Sequence, residues 1–151
     1  MKEFPVRKLT RSLQIGQVGV GGNQPISVQS MTTTKTADAA ATIEQIRQLA
    51  TAGCEIVRVA VPDMAAARAV STIKESAAIP VVADIHFDYR LALEVIARGI
   101  DALRLNPGNI TDQEQVKTVV RAAKEKKIPI RIGVNAGSLD KAMLEKHGGH
   151  A

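Results

Sequence analysis

The sequence predicts an α/β protein, the N-terminal part of a TIM (β/α) barrel preceded by a short β-hairpin. Three observations carry this expectation. Short aliphatic runs alternate with helix-periodic stretches about every 20–30 residues, the spacing of β/α units. The 151 residues are 45% apolar but only 2% aromatic, so the core must come from Ala, Val, Ile and Leu, as in a parallel sheet buried on both faces. Four successive predicted strands also put polar or charged groups on one face, opposite aliphatic neighbours.

The elements follow in order. Residues from about Pro5 to Gly22 alternate loosely and contain Gly16, Gly19, Gly21 and Gly22, the pattern of a hairpin. Pro25 leads into a first strand, Ile26 to Ser30. Thr36 is placed to cap a helix running to Ala52, with Ile43, Ile46, Leu49 and Ala50 on one face and Gly53 as its stop. Glu55–Val61 reads as a strand, and Asp63 caps the next helix, to about Ala77. Pro80 opens a strand over Val81–Ile85. Asp88 caps a helix carrying Leu91, Val95 and Ile96 and ending at Gly99. Ala102–Asn106 is a fourth strand. Thr111 with Glu114 forms a capping box ahead of Val116, Val119, Val120 and Ala123. Ile128–Val134 is a fifth strand, and Ser138 begins a further helical turn. A closed barrel needs eight such units, so five strands mean an open sheet or a barrel cut off partway, and the untidy Gly-rich end favours the second. The division expected is a hairpin segment over 1–25 and the first five β/α units over 26–151.

Composition bounds the function. The net charge of +5 attracts anions, yet the Lys and Arg residues are dispersed. The densest run, Lys124, Lys126 and Lys127, sits at a helix end, where cations complement the dipole. With so few aromatics for base stacking, no nucleic-acid partner is expected. No apolar stretch approaches membrane-spanning length and the N-terminus lacks a signal-peptide core, so neither a membrane nor export is expected and the localisation read is cytoplasmic. The single cysteine, Cys54, excludes an internal disulfide and reads as a small buried residue entering a strand.

The strands hold the chemistry. Arg58 opposes the valines of its strand; Asp84 and His86 share a face; Arg104 and Asn106 oppose two leucines; Arg131, Gly133 and Asn135 oppose aliphatics. Three inward arginines thus face one inward acid. A buried charge costs several kcal/mol unless paired, so the surplus calls for an anion, and the guanidinium fork matches phosphate oxygens. These residues stand near the C-terminal ends of their strands, where barrel sites lie. The loops Asn106–Asn109 and Asn135–Ser138 add backbone N–H groups at helix N-termini. The bland alternative is that each arginine pairs with an acid at the rim and only ties strands together. His86 suits a proton donor, a phosphate ligand or a metal ligand, but no partner ligands accompany it, and no metal site is expected. Gln29, Ser30 and Met31 end the first strand, at the pocket mouth or in a purely structural role.

The strand-end runs, taken together, resemble one family. Ser27–Thr32, Ile56–Val59, Val61-Pro62, Val82–Arg90, Leu103–Asn109 and Pro129–Leu139 are similar, in order, to the hydroxymethylbutenyl diphosphate synthases of the non-mevalonate isoprenoid pathway. The resemblance spans nearly the whole chain. It implies a TIM barrel joined to a C-terminal domain with a 4Fe-4S cluster. The implied activity is the reductive opening of 2-C-methyl-D-erythritol 2,4-cyclodiphosphate, with loss of water, to (E)-4-hydroxy-3-methylbut-2-enyl diphosphate. Flavodoxin or ferredoxin is the implied electron donor, and a homodimer the implied assembly. By motif match, Arg58, Arg104 and Arg131 hold the diphosphate with help from Asn135. Asp84, His86 and Asn106 line the same pocket, with Gln29, Ser30, Met31 and Ser138 as further substrate contacts. The family's cluster ligands, three cysteines and a glutamate, find no match here, and neither do its later barrel strands. The chain alone is therefore expected to bind no cluster and not to turn over, and no catalytic residue is assigned within it. Two alternatives remain: a pteroate-synthase-like transferase barrel, which also binds a diphosphate, and a non-catalytic assembly module.

Overall fold

In a strand with helices on one side and a barrel lumen on the other, alternate residues meet different surroundings, and the three central strands of the main sheet obey this rule. The computed structural model describes residues 8–86, 88–106, 110, 112–133 and 145–146. A hairpin, β1 (Leu13–Ile15) and β2 (Val18–Val20), comes first. It is followed by β3 (Gln29–Met31), α1 (Ala39–Thr51), β4 (Ile56–Val61), α2 (Met64–Ser76), β5 (Val81–Ile85), α3 (Tyr89–Ala97), β6 (Ala102–Leu105), α4 (Gln113–Glu125) and β7 (Ile130–Ile132). The main sheet, among the described residues, is parallel with strand order β3-β4-β5-β6-β7. Each strand lies beside its successor, without the reversal of a doubly wound sheet, and this is barrel winding.

The two faces differ as the alternation demands. Val57, Val59, Val61, Val81, Ala83, Ile85, Leu103 and Leu105 join one buried cluster with the inner faces of all four helices, among them Ile46, Val70, Ile73, Val95 and Val119. Each fully buried aliphatic side chain contributes about 1.5–3 kcal/mol. On the other face Ile56, Val82 and Ala102 form a second, smaller cluster, covered by Ile15, Val18 and Val20 of the hairpin. The hairpin therefore floors the sheet's concave side at the N-terminal ends of the strands.

Several boundaries move from their sequence expectations. The first strand is Gln29–Met31, not Ile26–Ser30. The Glu55 carboxylate takes the Val28 N–H at 2.8 Å, so that group does not enter a ladder, and Ile26 and Val28 stay exposed. The cap of α1 is Asp38, not Thr36: its carboxylate accepts from the Ala41 N–H at 3.0 Å, while Thr36 is buried. The cap of α4 is Asp112, which accepts from the N–H groups of Glu114 and Gln115. The Glu114 side chain pairs with Lys117 at 2.7 Å, and Thr111, the other half of the expected capping box, lies outside the described residues. Asp63 and Asp88 cap α2 and α3 as expected. The fifth strand, Ile130–Ile132 as described, starts later than Ile128 because the Ile128 N–H closes α4 by donating to Ala123; Val134, its expected end, lies outside the described residues. Past α1 and α3 the chain turns through Gly53 and Gly99 at positive φ; past α4 Lys127 takes that conformation, at φ 56.

Two stability measurements test this packing. Leu103→Ala, at a site with no exposed surface, should cost about 2–5 kcal/mol in urea unfolding. The Asp88 carboxyl is held below its ordinary value of 3.8 by the Arg90 side chain and the Arg90 backbone N–H. A depressed folded pKa gives stability that is present above 3.8 and is lost as pH falls through the folded value. The melting temperature of the wild type should therefore exceed that of Asp88→Asn at neutral pH, and the gap should close in acid.

Candidate anion site at the strand ends

Register places the polar side chains. Asp84 stands level with Arg104, and Arg104 with Arg131. Arg58 sits one step lower, level with Met31 and Val82, and Ala60 is the β4 residue that stands beside Asp84. The small Ala60 side chain leaves room for Arg58 to reach diagonally upward. The result is one carboxylate shared by two guanidiniums. Arg104 Nη1 donates to Asp84 Oδ1 at 3.0 Å, and Arg58 Nε lies 3.4 Å from Asp84 Oδ2. The Arg58 contact is ionic rather than a well-aligned hydrogen bond, since buried Nε has no hydrogen-bond partner. Its Nη2 instead meets the Met31 thioether at 3.3 Å. Arg104 Nη2 donates to the Gly133 carbonyl at 3.0 Å. His86 Nε2 approaches Asp84 Oδ2 to 3.8 Å, an ion pair when the imidazole is protonated.

Asp84 is the only acid in the five described strands of the main sheet. Its side chain is 4% exposed and that of Arg104 11%, so the pair lies largely out of water. Arg131 reaches across the concave face from β7 to β3, where its partner is the neutral amide of Gln29, at a long 3.4 Å. Among the described strands three guanidiniums thus stand with one carboxylate, which pairs with two of them. The rim-acid alternative is met by Asp84 for Arg58 and Arg104.

Of the residues singled out in the sequence, the structure brings together Met31, Arg58, Asp84, His86 and Arg104, with Arg131 and Gln29 beside them. Asn106 is buried at the end of β6. Ser30 does not join them: its register partner is Val57, so it belongs to the helix-side face. Asn135 and Ser138, with residues 107–109 of the preceding loop, lie outside the described residues. Sequence reasoning missed the Gly133 carbonyl as a partner of Arg104. The available signal was a glycine at an inward position, where a Cβ would come within 2.9 Å of Arg104 Nε.

Metal ligation is a separate matter. Among the described residues no group of three or more His, Cys, Asp or Glu could hold a metal ion. Cys54 is buried below β4, at the other end of the strands, and its thiol donates to the Ile56 carbonyl at 3.0 Å. A cavity of about 340 Å³ opens at that end, but its Lys74 is already paired with Asp101 at 2.8 Å. No helix among the described residues is long and apolar enough to cross a membrane.

Comparison with known proteins agrees with the barrel fold. Residues 10–151 match the family model described as the GcpE TIM-barrel domain. A protein of Maridesulfovibrio salexigens is 63% identical over 143 residues, which cover 95% of this chain and 40% of that protein. One of Geobacter sulfurreducens is 63% identical over 139 residues, with coverage of 92% and 39%. One of Bacillus velezensis is 57% identical over 148 residues, with coverage of 98% and 40%. All three are named 4-hydroxy-3-methylbut-2-en-1-yl diphosphate synthase (flavodoxin). The chain spans about 40% of the length of these curated relatives. Among solved structures, the N-acetylmannosamine-6-phosphate 2-epimerase of Clostridium perfringens aligns with a TM-score of 0.51 at 14% identity, over 80% of this chain and 56% of that one. At that identity it supports the barrel fold alone.

The shared carboxylate provides a direct test. Asp84→Asn leaves two guanidiniums without their counter-ion and should cost about 1.5–3 kcal/mol of stability. In calorimetry, added pyrophosphate should restore part of the lost melting temperature, because the anion supplies the missing charge.

Proposed function

The chain belongs to the GcpE TIM-barrel domain family, and from that premise we propose that its inward arginines hold the diphosphate of 2-C-methyl-D-erythritol 2,4-cyclodiphosphate. The reaction is the reductive opening of this ring, with loss of water, to (E)-4-hydroxy-3-methylbut-2-enyl diphosphate. It is carried out by the whole protein, an oxidoreductase of isoprenoid biosynthesis in the cytoplasm. The observation that carries the reading is the convergence of Arg58 and Arg104 on a single buried carboxylate, with Arg131 beside them on a neutral partner. A diphosphate supplies the negative charge this arrangement lacks and offers oxygens in the geometry a guanidinium fork accepts.

In this reading the barrel orients the substrate and neutralises its charge. Asp84 holds two guanidiniums in place before substrate arrives, so little reorganisation is needed on binding. Arg131, Asn135, Asn106, His86 and Ser138 complete the polar lining, with Gln29 and Met31 fixing Arg131 and Arg58. Residues 1–25 serve as a hairpin segment and 26–151 as the first β/α units of the barrel. Flavodoxin, named with the relatives, is the electron donor, and the whole protein works as a homodimer. The described residues do not fit the 4Fe-4S cluster that the sequence resemblance implies. The one thiol is buried at the far end of the strands, and no cluster of ligand side chains accompanies the arginines.

Titration calorimetry of the intact protein with the cyclodiphosphate, pyrophosphate and phosphate tests the reading. The cyclodiphosphate should bind most tightly, and Arg104→Ala should weaken it by about 1.5–3 kcal/mol, roughly tenfold or more. Unchanged affinity on losing Arg104, or no preference for the cyclodiphosphate over phosphate, would overturn it; the second result is what an assembly module would give.

A further inference from the structure

Two small residues flank the ion pairs of Asp84. The Arg58 guanidinium spans the inward face of β4: its Nη2 meets Met31 Sδ on β3 at 3.3 Å, and its Nε lies 3.4 Å from Asp84 Oδ2 on β5. Met31 is level with Arg58, and Asp84 is level with Ala60, so the guanidinium lies across β4 between the levels of residues 58 and 60. The next inward side chain on β4 belongs to Ala60, a single methyl group. A branched side chain there would stand where the guanidinium passes to Asp84. On the other flank, Arg104 Nη1 is bound to Asp84 at 3.0 Å and Nη2 to the Gly133 carbonyl at 3.0 Å. A Cβ on Gly133 would come within 2.9 Å of Arg104 Nε and 3.3 Å of Nη2. The backbone does not call for glycine at this position: Gly133 does not have a positive φ, and its N–H makes an ordinary ladder bond to the Leu105 carbonyl at 3.0 Å. What the missing side chain makes room for is the guanidinium.

We propose that Ala60 and Gly133 are positioning residues, each matched to one arginine: Ala60 keeps open the space through which Arg58 reaches Asp84, and Gly133 the space in which Arg104 lies against a strand carbonyl. The inference rests on the reading of these arginines as diphosphate ligands. With its contacts to Asp84 and to Met31 or Gly133 in place, each guanidinium holds one orientation before the anion arrives, so binding need not draw it from a competing position. Neither small residue needs to touch the substrate. Each acts by the volume it leaves empty, and each acts through its own arginine.

Crossed double-mutant cycles on the intact protein test this, read as cyclodiphosphate affinity by titration calorimetry, with circular-dichroism melts to follow folding. Gly133→Ala should weaken binding about tenfold, the loss expected when a hydrogen bond to a charged group is broken. Ala60→Val should weaken it about fivefold, the scale of an ion pair without an aligned hydrogen bond. Ala60→Gly should bind as the wild type. Gly133→Ala should cause no further loss in an Arg104→Ala background but keep its effect beside Arg58→Ala; Ala60→Val should show the reverse pattern. If either single variant does not fold, removing its matched arginine should restore folding, since the clash is gone; a double variant that still fails would make that residue a requirement of the backbone and overturn its positioning role. Losses that are the same with and without the matched arginine would overturn it too. If the arginine variants weaken binding while Ala60→Val and Gly133→Ala bind as the wild type, the positioning role is wrong and the diphosphate reading stands. If Arg58→Ala and Arg104→Ala themselves bind normally, the diphosphate reading fails, and the inference with it.

Discussion

The carboxylate of Asp84 is the point on which the polar face of this sheet depends. It sits in the middle strand of the described five, buried, with an arginine on each neighbouring strand leaning on it. Taking one carboxylate and two guanidiniums out of water is costly, and a single acid cannot balance both cations. The arrangement persists because the opposite face gains so much: every second residue of these strands packs against helices in one continuous aliphatic cluster. The helix-side packing fixes the strand register, and the register leaves the arginines no freedom about where they point.

Much of this was legible in the sequence, and the reason is the two-residue period of a strand. Arg58, Asp84, Arg104 and Arg131 could be assigned to one face because Val, Ile or Leu flanks each of them on the other. What the period could not supply was pairing across strands. Alternation alone cannot show that Arg58 lies one step below Asp84 and reaches it past Ala60, because that depends on how the two strands are offset. Ser30 was misplaced for the same reason: ending a strand near the pocket says nothing of which face a residue takes until its partner, Val57, is known. Thr36 and Thr111 were read as caps because threonine suits that position, but Asp38 and Asp112 stand nearer the helix starts and cap with a carboxylate, which the positive end of the helix dipole favours. The hairpin was recognisable from its glycines, whereas its seat under Ile56, Val82 and Ala102 is a long-range contact with no local signature.

That seat has a consequence for how an ion would experience the molecule. Ile56, Val82 and Ala102 each lie two residues before a charged side chain on the same strand, Arg58, Asp84 and Arg104 respectively, which places them roughly 6–7 Å beneath it. The hairpin seals them from below with Ile15, Val18 and Val20. Beneath the cationic cluster there is thus hydrocarbon rather than polarisable solvent, and field lines from the surplus charge cannot be screened in that direction. They are pushed out through the wet end, much as a mirror behind a lamp throws its light forward. In the diphosphate reading, a pair of strands remote from the ligand thereby lengthens the reach of the arginines into solution, and turns a local excess of charge into a directional pull on passing anions.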